Sequence, residues 1–504
     1  MHCWLKFCVC VCVCVAAIVV ARARAQTENI HSMDPAAGER FGSAVAAAPL
    51  VGAVDWAIVG VPLAQVDGMA EAGEVECYPA IESPTTLPFK LKAPVGYVQA
   101  GAHFGSALAA ADIDGDGAVD IVVGIPGQDV GLRQSHGEVI IYFGPWNPTA
   151  QQPWSARTIL DVHPNDTNPM DPLHGDEFGY SVTVGDLDRQ GFLDVVVGAP
   201  RADYVLVQPV TSETGAADVF WNVVKGADQL FRDERIYMND NDRMELDHYG
   251  WSVGIGNFGE PDNEFFGDVV VGAPDFDVPI EGGGVTTNSG AAHAHYGRQG
   301  PLGPTWFCDV SSPQFFDLLI GTHGKVDGGQ GTALAVGNYD GDSWDDLAVG
   351  SPGTETGPEG FVMIYKGDGT QLVSAGAMHE PLINEDDDLG DGTPFNMFGH
   401  SLAWADTDGT GQLDLLIGAP TAATGFPSVQ AGRVFIAHAV AGTVPWNWEL
   451  TAVSDGSPQA GQRFGWAVVR AARKGTSLDD IVAGSPRSRV LLYQEAGEIF
   501  VFNN

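Results

Sequence analysis

A three-strand module recurs seven times along this 504-residue chain, and that repetition limits the folds open to it. Each copy opens on an aromatic-Gly pair leading a short strand: Phe41-Gly42, Phe104-Gly105, Phe178-Gly179, Tyr249-Gly250, Phe398-Gly399 and Phe464-Gly465, with Gly331-Thr332 as a degenerate copy. A second strand follows a polar loop and ends on Gly-x-Pro, from Gly60-Val61-Pro62 in the first copy to Gly484-Ser485-Pro486 in the last. β-Branched runs such as Ile121-Val122-Val123 favour strand, and Pro stops it because it cannot donate to the ladder. A third strand opens on Gly, as in GEVIIYFG from Gly137 and GEIFVF from Gly497. A looser fourth strand precedes the next aromatic-Gly pair, as in ARTIL from Ala156 and WELTAV from Trp448. Four short strands in about 70 residues per copy predict an all-β fold, a seven-bladed β-propeller with four-stranded blades.

The seventh copy reaches only a third strand before the sequence given ends. Thr27 to Phe41 parallels Glu449 to Phe464, so residues near Thr27 to His31 are expected to close the seventh blade as its fourth strand. Residues 1–25 carry Lys6, an apolar run from Phe7 to Ala21 and the small-residue sequence Ala23-Arg24-Ala25, the layout of a secretory signal peptide. The expected organisation is therefore a signal peptide over 1–25 and a single propeller over 26–504, secreted to the extracellular space. No later stretch approaches the roughly 20 apolar residues of a spanning helix, so no direct membrane span is expected.

Loss of the leader removes three cations and no acid, moving the formal charge from −41 to −44. Such a chain repels nucleic acid and anionic membrane surfaces. Of seven cysteines five lie in the leader, leaving Cys77 and Cys308, so disulfides are not the framework.

Between first and second strands, Asp112 to Gly117 read DIDGDG, the opening of an EF-hand loop. An EF-hand closes with a bidentate Glu at position twelve, and here that position is Val123, inside a strand. The carboxylates thus belong to a loop that feeds a sheet. Positions one, three, five, seven (through its carbonyl) and nine supply oxygen ligands in four copies. In the second they are Asp112, Asp114, Asp116, Ala118 and Asp120; in the third, Asp186, Asp188, Gln190, Phe192 and Asp194. In the fifth they are Asn338, Asp340, Asp342, Trp344 and Asp346, with Asp345 outside the shell; in the sixth, Asp406, Asp408, Thr410, Gln412 and Asp414. Hard oxygen donors without His or Cys select Ca2+, up to four ions in a structural role. Acidic turns without an ion are the alternative, and four carboxylates within nine residues call for a counter-charge. The first and seventh copies lack such acids, and in the fourth Asp268 falls eleven residues after Asn257, too far for the pattern.

The aromatic-Gly and Gly-Ala-Pro pairs flanking D-x-D-x-D-G resemble the FG-GAP repeats of the integrin α-subunit head, over nearly the whole chain after the leader. That resemblance implies calcium loops on the bottom face and ligand recognition on the top, by loops joining second to third strands and blade to blade. The loops there are long and acidic, beginning at Asp161, Met238, Asp275 and Asn384, and one holds a glycosylation sequon at Asn165. By this resemblance the partner is an extracellular protein, with a membrane-bound partner open. A secreted lectin on the same fold is the alternative, with glycan stacking on Trp such as Trp251, Trp404 and Trp466, although core packing also accounts for these rings. His293 and His295 share a strand face but have no third zinc ligand nearby, and Lys366-Gly367-Asp368 reads as a hairpin turn. FG-GAP repeats also accompany a glycosylphosphatidylinositol-specific phospholipase D, whose catalytic zinc domain has no counterpart in the sequence. No nucleophile elbow, zinc helix or phosphate loop occurs, so no enzyme is expected.

Overall fold

The computed structural model describes residues 26–502 except 80–86, 132, 151–153, 162–174, 204–212, 224, 228–229, 232–233, 239–245, 260–265, 280–284, 301–302, 306–315, 320–326, 354–359, 374–382, 385–396, 425–428, 440–447, 454–458 and 473–477. Every regular element among them is a strand, and seven antiparallel blades succeed one another along the chain. The first blade runs Val45–Ala48, Trp56–Val61, Glu74–Tyr78 and Phe89–Leu91, each hydrogen-bonded to the next. The second repeats the order with Ala107–Ala111, Asp120–Ile125, Glu138–Phe143 and Ala156–Asp161. In the seventh, Ala467–Ala472, Asp479–Ser485 and Glu498–Phe502 are followed outward by Gln26–Ile30, whose Ile30 pairs with Ile499 and Asn29 with Phe500.

The innermost strands touch in an unbroken ring. Val45–Ala48 packs beside Ala107–Ala111, and the contacts continue through Ser181–Gly185, Ser252–Gly256, Ala333–Gly337, Ser401–Ala405 and Ala467–Ala472 back to Val45–Ala48. These strands are rich in Ala, Ser and Gly because they crowd around the axis. Second strands have a blade on either side and in the first six blades are buried along their whole length, so DIVVGI, DVVVGA and DLLIGA read as continuous apolar runs.

Glycine sets the distance between blades. A Cβ on Gly137 would lie 2.0 Å from the Phe178 carbonyl oxygen of the next blade, and the residue holds φ +87. Gly497 repeats this against Phe41, 2.1 Å from its carbonyl, which seats the seventh blade on the first. There the Phe41 N–H also donates to Ala496 at 3.0 Å. The paired aromatics Phe41, Phe104, Phe178, Tyr249, Phe398 and Phe464 are fully buried between blades. Phe464, for example, meets Phe500 edge-on at 5.2 Å.

The fifth copy corrects one reading of the sequence. The residue at the aromatic position is Gln330, bridged in parallel to Gly290, so the equivalent pair is Gln330-Gly331 rather than Gly331-Thr332. Gln330 is buried and donates from Nε2 to the Leu319 carbonyl and the Tyr365 hydroxyl, both at 3.1 Å. Polar satisfaction takes the place of a ring.

Candidate metal centre

All the acidic loops join a first to a second strand, so strand alternation puts them on one face of the ring. The last acid of each loop begins the second strand and is buried there: Asp120, Asp194, Asp346 and Asp414. Asp120 Oδ2 accepts the Ile113 N–H at 2.8 Å and Oδ1 accepts the Gly144 N–H at 2.9 Å. Asp194 holds Leu187 and Asn222 in the same way, and Asp346 holds Tyr339 and Gly367. Each carboxylate thereby latches its loop to the end of the third strand. Burial pushes the Asp120 and Asp194 carboxyls up to about 6 and Asp346 up to about 7.

Asp268 makes the same latch in the fourth blade, accepting from Phe258 at 2.8 Å and Gly297 at 3.0 Å. The latch therefore exists in a loop without the nine-residue ligand spacing, and the acid that opens the second strand has a structural duty of its own.

The remaining acids fold each loop on itself. Asp112 Oδ2 accepts the Gly117 N–H, Asp114 Oδ1 that of Asp116, and Asp116 Oδ1 that of Ala118. The third loop repeats this with Asp186 to Gly191 and Asp188 to Gln190, and the sixth with Asp406 to Gly411 and Asp408 to Thr410. Two acceptors are left over: Oδ1 of Asp112 and Oδ1 of Asp186 are buried without a hydrogen-bond partner. A buried orphan carboxylate oxygen is costly unless something positive faces it.

The structure brings Asp112, Asp114 and Asp116 together, with one oxygen from each within 4.8 Å of the others, and does the same for Asp186, Asp188 and Asp194. In the sixth loop the converging groups are Asp408, Asp414 and His438, so His438 joins and Asp406 stays out of the group. The imidazole Nδ1 of His438 lies 3.3 Å from Asp414 Oδ2. His438 occupies the third-strand register facing Asp414, a cross-strand relation that linear spacing does not expose. In the fifth loop Asn338 turns inward, its Oδ1 accepting from Gly341 and its Nδ2 donating to the Asp342 carbonyl. Asp345 accepts the Asn257 N–H of the preceding blade at 2.9 Å.

Two lysines reach these carboxylates. Lys225 Nζ, from the third blade, sits 3.1 Å from Asp114 Oδ2 and 2.5 Å from Asp116 Oδ2 in the second. Its ammonium holds the Asp116 carboxyl below the usual range. Lys366 pairs with Asp340 and lies 3.2 Å from Asp342. Lys366 and Gly367 pair back to Val373 and Leu372, so they end the strand of a hairpin and only Asp368 lies in its turn.

The donor set is oxygen-rich, convergent and negative, which fits a hard divalent cation in the second and third loops. Asp112, Asp114, Asp116 and Asp120 with the Ala118 carbonyl would hold it in one, and Asp186, Asp188, Gln190 and Asp194 with the Phe192 carbonyl in the other. The ion would supply charge neutralisation, pinning a loop whose carboxylates repel one another.

Of the other candidates, His293, His295 and Trp404 lie in the core, while Trp251 and Trp466 are half-buried. His293 and His295 are buried, with the Tyr249 hydroxyl 2.5 Å from His295 Nε2, and burial pushes the His295 imidazole down to about 3. Trp404 stacks on Tyr339 at 5.5 Å and donates to the Ala335 carbonyl. Trp251 lies against Tyr180 and Trp466 against His400. Cys77 is a buried free thiol. Asn165, Cys308 and most of the long acidic loops lie outside the described residues.

The FG-GAP repeat family matches residues 104–142, 178–220 and 330–362. Integrin alpha-PS2 of Drosophila melanogaster is 26% identical over 324 residues, covering 61% of this chain and 20% of that protein. Integrin alpha-3 of Cricetulus griseus is 34% identical over 106 residues, covering 20% of this chain and 9% of that one. Phosphatidylinositol-glycan-specific phospholipase D of Mus musculus is 24% identical over 420 residues, 77% of this chain and 45% of that protein. The chain spans a fifth or less of the integrins named here and under half of the phospholipase.

Proposed function

We propose that this integrin-α-like FG-GAP propeller is a secreted, calcium-stabilised recognition protein that binds an extracellular protein through the face opposite its acidic loops. The observation that carries the calcium reading is the pair of orphaned buried oxygens on Asp112 and Asp186, each at the head of a convergent carboxylate loop. Calcium here is structural. Neighbouring loops are hydrogen-bonded across blades, as Leu193 N–H to the Ile113 carbonyl at 3.1 Å, so an ion that fixes one loop stiffens the next.

Recognition is supported by fold and kinship. A ring of rigid blades carrying variable loops is a binding platform, and this chain matches FG-GAP repeats and is similar to integrin alpha subunits. No helix among the described residues is long and apolar enough to cross a membrane. The protein is proposed to act by binding rather than catalysis. Its partner is a protein, soluble or membrane-bound; glycan binding is the second reading, resting on the same fold.

The test is binding of the labelled protein to intact cells in calcium and in chelator, before and after surface proteolysis or glycosidase treatment. Calcium-dependent binding that proteolysis removes and glycosidases spare supports a protein ligand. Binding lost to glycosidases supports the lectin, and binding indifferent to calcium contradicts the structural role of the loops.

A further inference from the structure

The third-strand position opposite the latching aspartate is filled differently from blade to blade. Asp120, Asp194 and Asp268 face Phe143, Trp221 and Tyr296, the residues that follow the paired Tyr142, Phe220 and His295. In the fifth blade the same position, one beyond the paired Tyr365, holds Lys366. Sheet register thereby delivers an ammonium into the acidic loop of its own blade. Lys366 Nζ pairs with Asp340 Oδ2, on a side chain only 4% exposed, and lies 3.2 Å from Asp342 Oδ2.

The other side-chain oxygens of the fifth ligand pattern are spent within the blade. Asn338 Oδ1 accepts from the Gly341 N–H at 2.8 Å, Asp340 Oδ1 from that of Asp342 at 3.0 Å and Asp342 Oδ1 from that of Trp344 at 2.7 Å. Asp346 gives both oxygens to the latch on Tyr339 and Gly367. The Asn338 amide is held at its other end too, Nδ2 donating to the Asp342 carbonyl at 2.6 Å. The loops that fit a cation differ: Asp112 and Asp186 each keep a buried Oδ1 without a partner, and no oxygen of the fifth loop is orphaned in this way. In the third loop Asp188 Oδ2 meets the Asn222 amide at 3.2 Å rather than an ammonium. Lys225 reaches the second loop from outside the strands, whereas the backbone around Lys366 is held on both sides, by Tyr365 on Leu347 and by Lys366 itself on Val373. A divalent ion entering the fifth loop would share Asp340 and Asp342 with a positive charge that the strand keeps there.

We propose that Lys366 is the built-in counter-ion of the fifth loop, standing where a divalent cation would bind, and that removing its charge uncovers a calcium site centred on Asp340, Asp342 and the Trp344 carbonyl. The fifth blade is then locked without calcium, and its loop adds nothing to the ions the protein carries. This role rests on the calcium reading of the second and third loops only for the comparison drawn with them.

The test is metal analysis of the full chain after dialysis in millimolar free calcium, the range of extracellular sites. Asp340→Asn should leave the ion count of the parent unchanged, while Lys366→Met gains one calcium per chain and Lys366→Arg gains none. Adding Asp340→Asn to Lys366→Met should remove the gained ion, which places it in the fifth loop. Lys366→Gln, also uncharged, serves if the methionine variant fails to fold. In excess chelator either neutral variant should melt below the parent, and calcium should close the gap, because the two carboxylates then lack any counter-charge. A count that falls by one in Asp340→Asn alone, or no gain in either folded neutral variant, would overturn the assignment. A parent that holds no calcium would instead sink the reading of the second and third loops, leaving the gain in Lys366→Met to decide this one.

Discussion

The cation proposed for the second loop would compete with Lys225 for the same oxygens, so replacing this lysine should tighten calcium binding there. Its ammonium stands 3.1 Å from Asp114 Oδ2 and 2.5 Å from Asp116 Oδ2. If it stays while an ion enters, one charge against two at about 4 Å costs about 2 kcal/mol at the dielectric of water, which suits a partly exposed group. If it swings away, two surface ion pairs are lost at about 0.5–1 kcal/mol each, a similar total. The two routes together correspond to roughly 5- to 30-fold in Kd. Lys225→Met removes the ammonium, including its contact 5.7 Å from the Phe143 ring centroid, and keeps an unbranched apolar side chain. The assay is competition against a chromophoric chelator in low salt, with the other loops silenced by Asp188→Asn, Asp340→Asn and Asp408→Asn. Tighter binding in the variant, with the gap narrowing in high salt, is the expected outcome. Equal affinity would refute the reasoning.

Three further outcomes are expected. Gly198→Ala places a Cβ 2.0 Å from the Gly250 carbonyl and 2.2 Å from Ser181 Oγ, and should cost about 1–3 kcal/mol or more in denaturant unfolding by forcing the third and fourth blades apart. Asp268→Ala strips two buried N–H groups of their acceptor and should cost about 2–4 kcal/mol without changing calcium stoichiometry, whereas Asp194→Ala should lose both stability and an ion on dialysis and metal analysis. Glu39 binds its proton more tightly folded, at about 7 against an ordinary 4.5. Its contribution is therefore full below the unfolded value and is lost as pH rises through 7. Glu39→Gln should flatten the fall in stability between pH 5 and 8 relative to the parent protein, by at most about 3 kcal/mol.

The blades were legible because their signals are local. An aromatic-Gly pair, a Gly-x-Pro ending and an opening Gly each lie within a few residues of the strand they bound, and the seven copies reinforce one another. Gln330 escaped because the signal sought was a ring, and what holds that position is a pair of hydrogen bonds to Leu319 and Tyr365. The acidic loops were legible as oxygen-rich runs, but their electrostatic partners were not. Lys225 arrives from the next blade, and His438 from a third strand more than twenty residues beyond Asp414. Asp268 failed the spacing rule because residues lie between Asn257 and the strand beyond what the nine-residue pattern holds, yet its carboxylate performs the latch of its siblings. Spacing reads ligand sets; it does not read a buried cross-strand latch.

Divalent cations in the acidic loops are proposed to hold this propeller together, and thermal unfolding in calcium and in excess chelator measures whether they do. A substantially lower melting temperature in chelator, restored by calcium, is expected, with a smaller shift in a variant carrying Asp114→Asn and Asp188→Asn. Superimposable melting curves in calcium and chelator would contradict it.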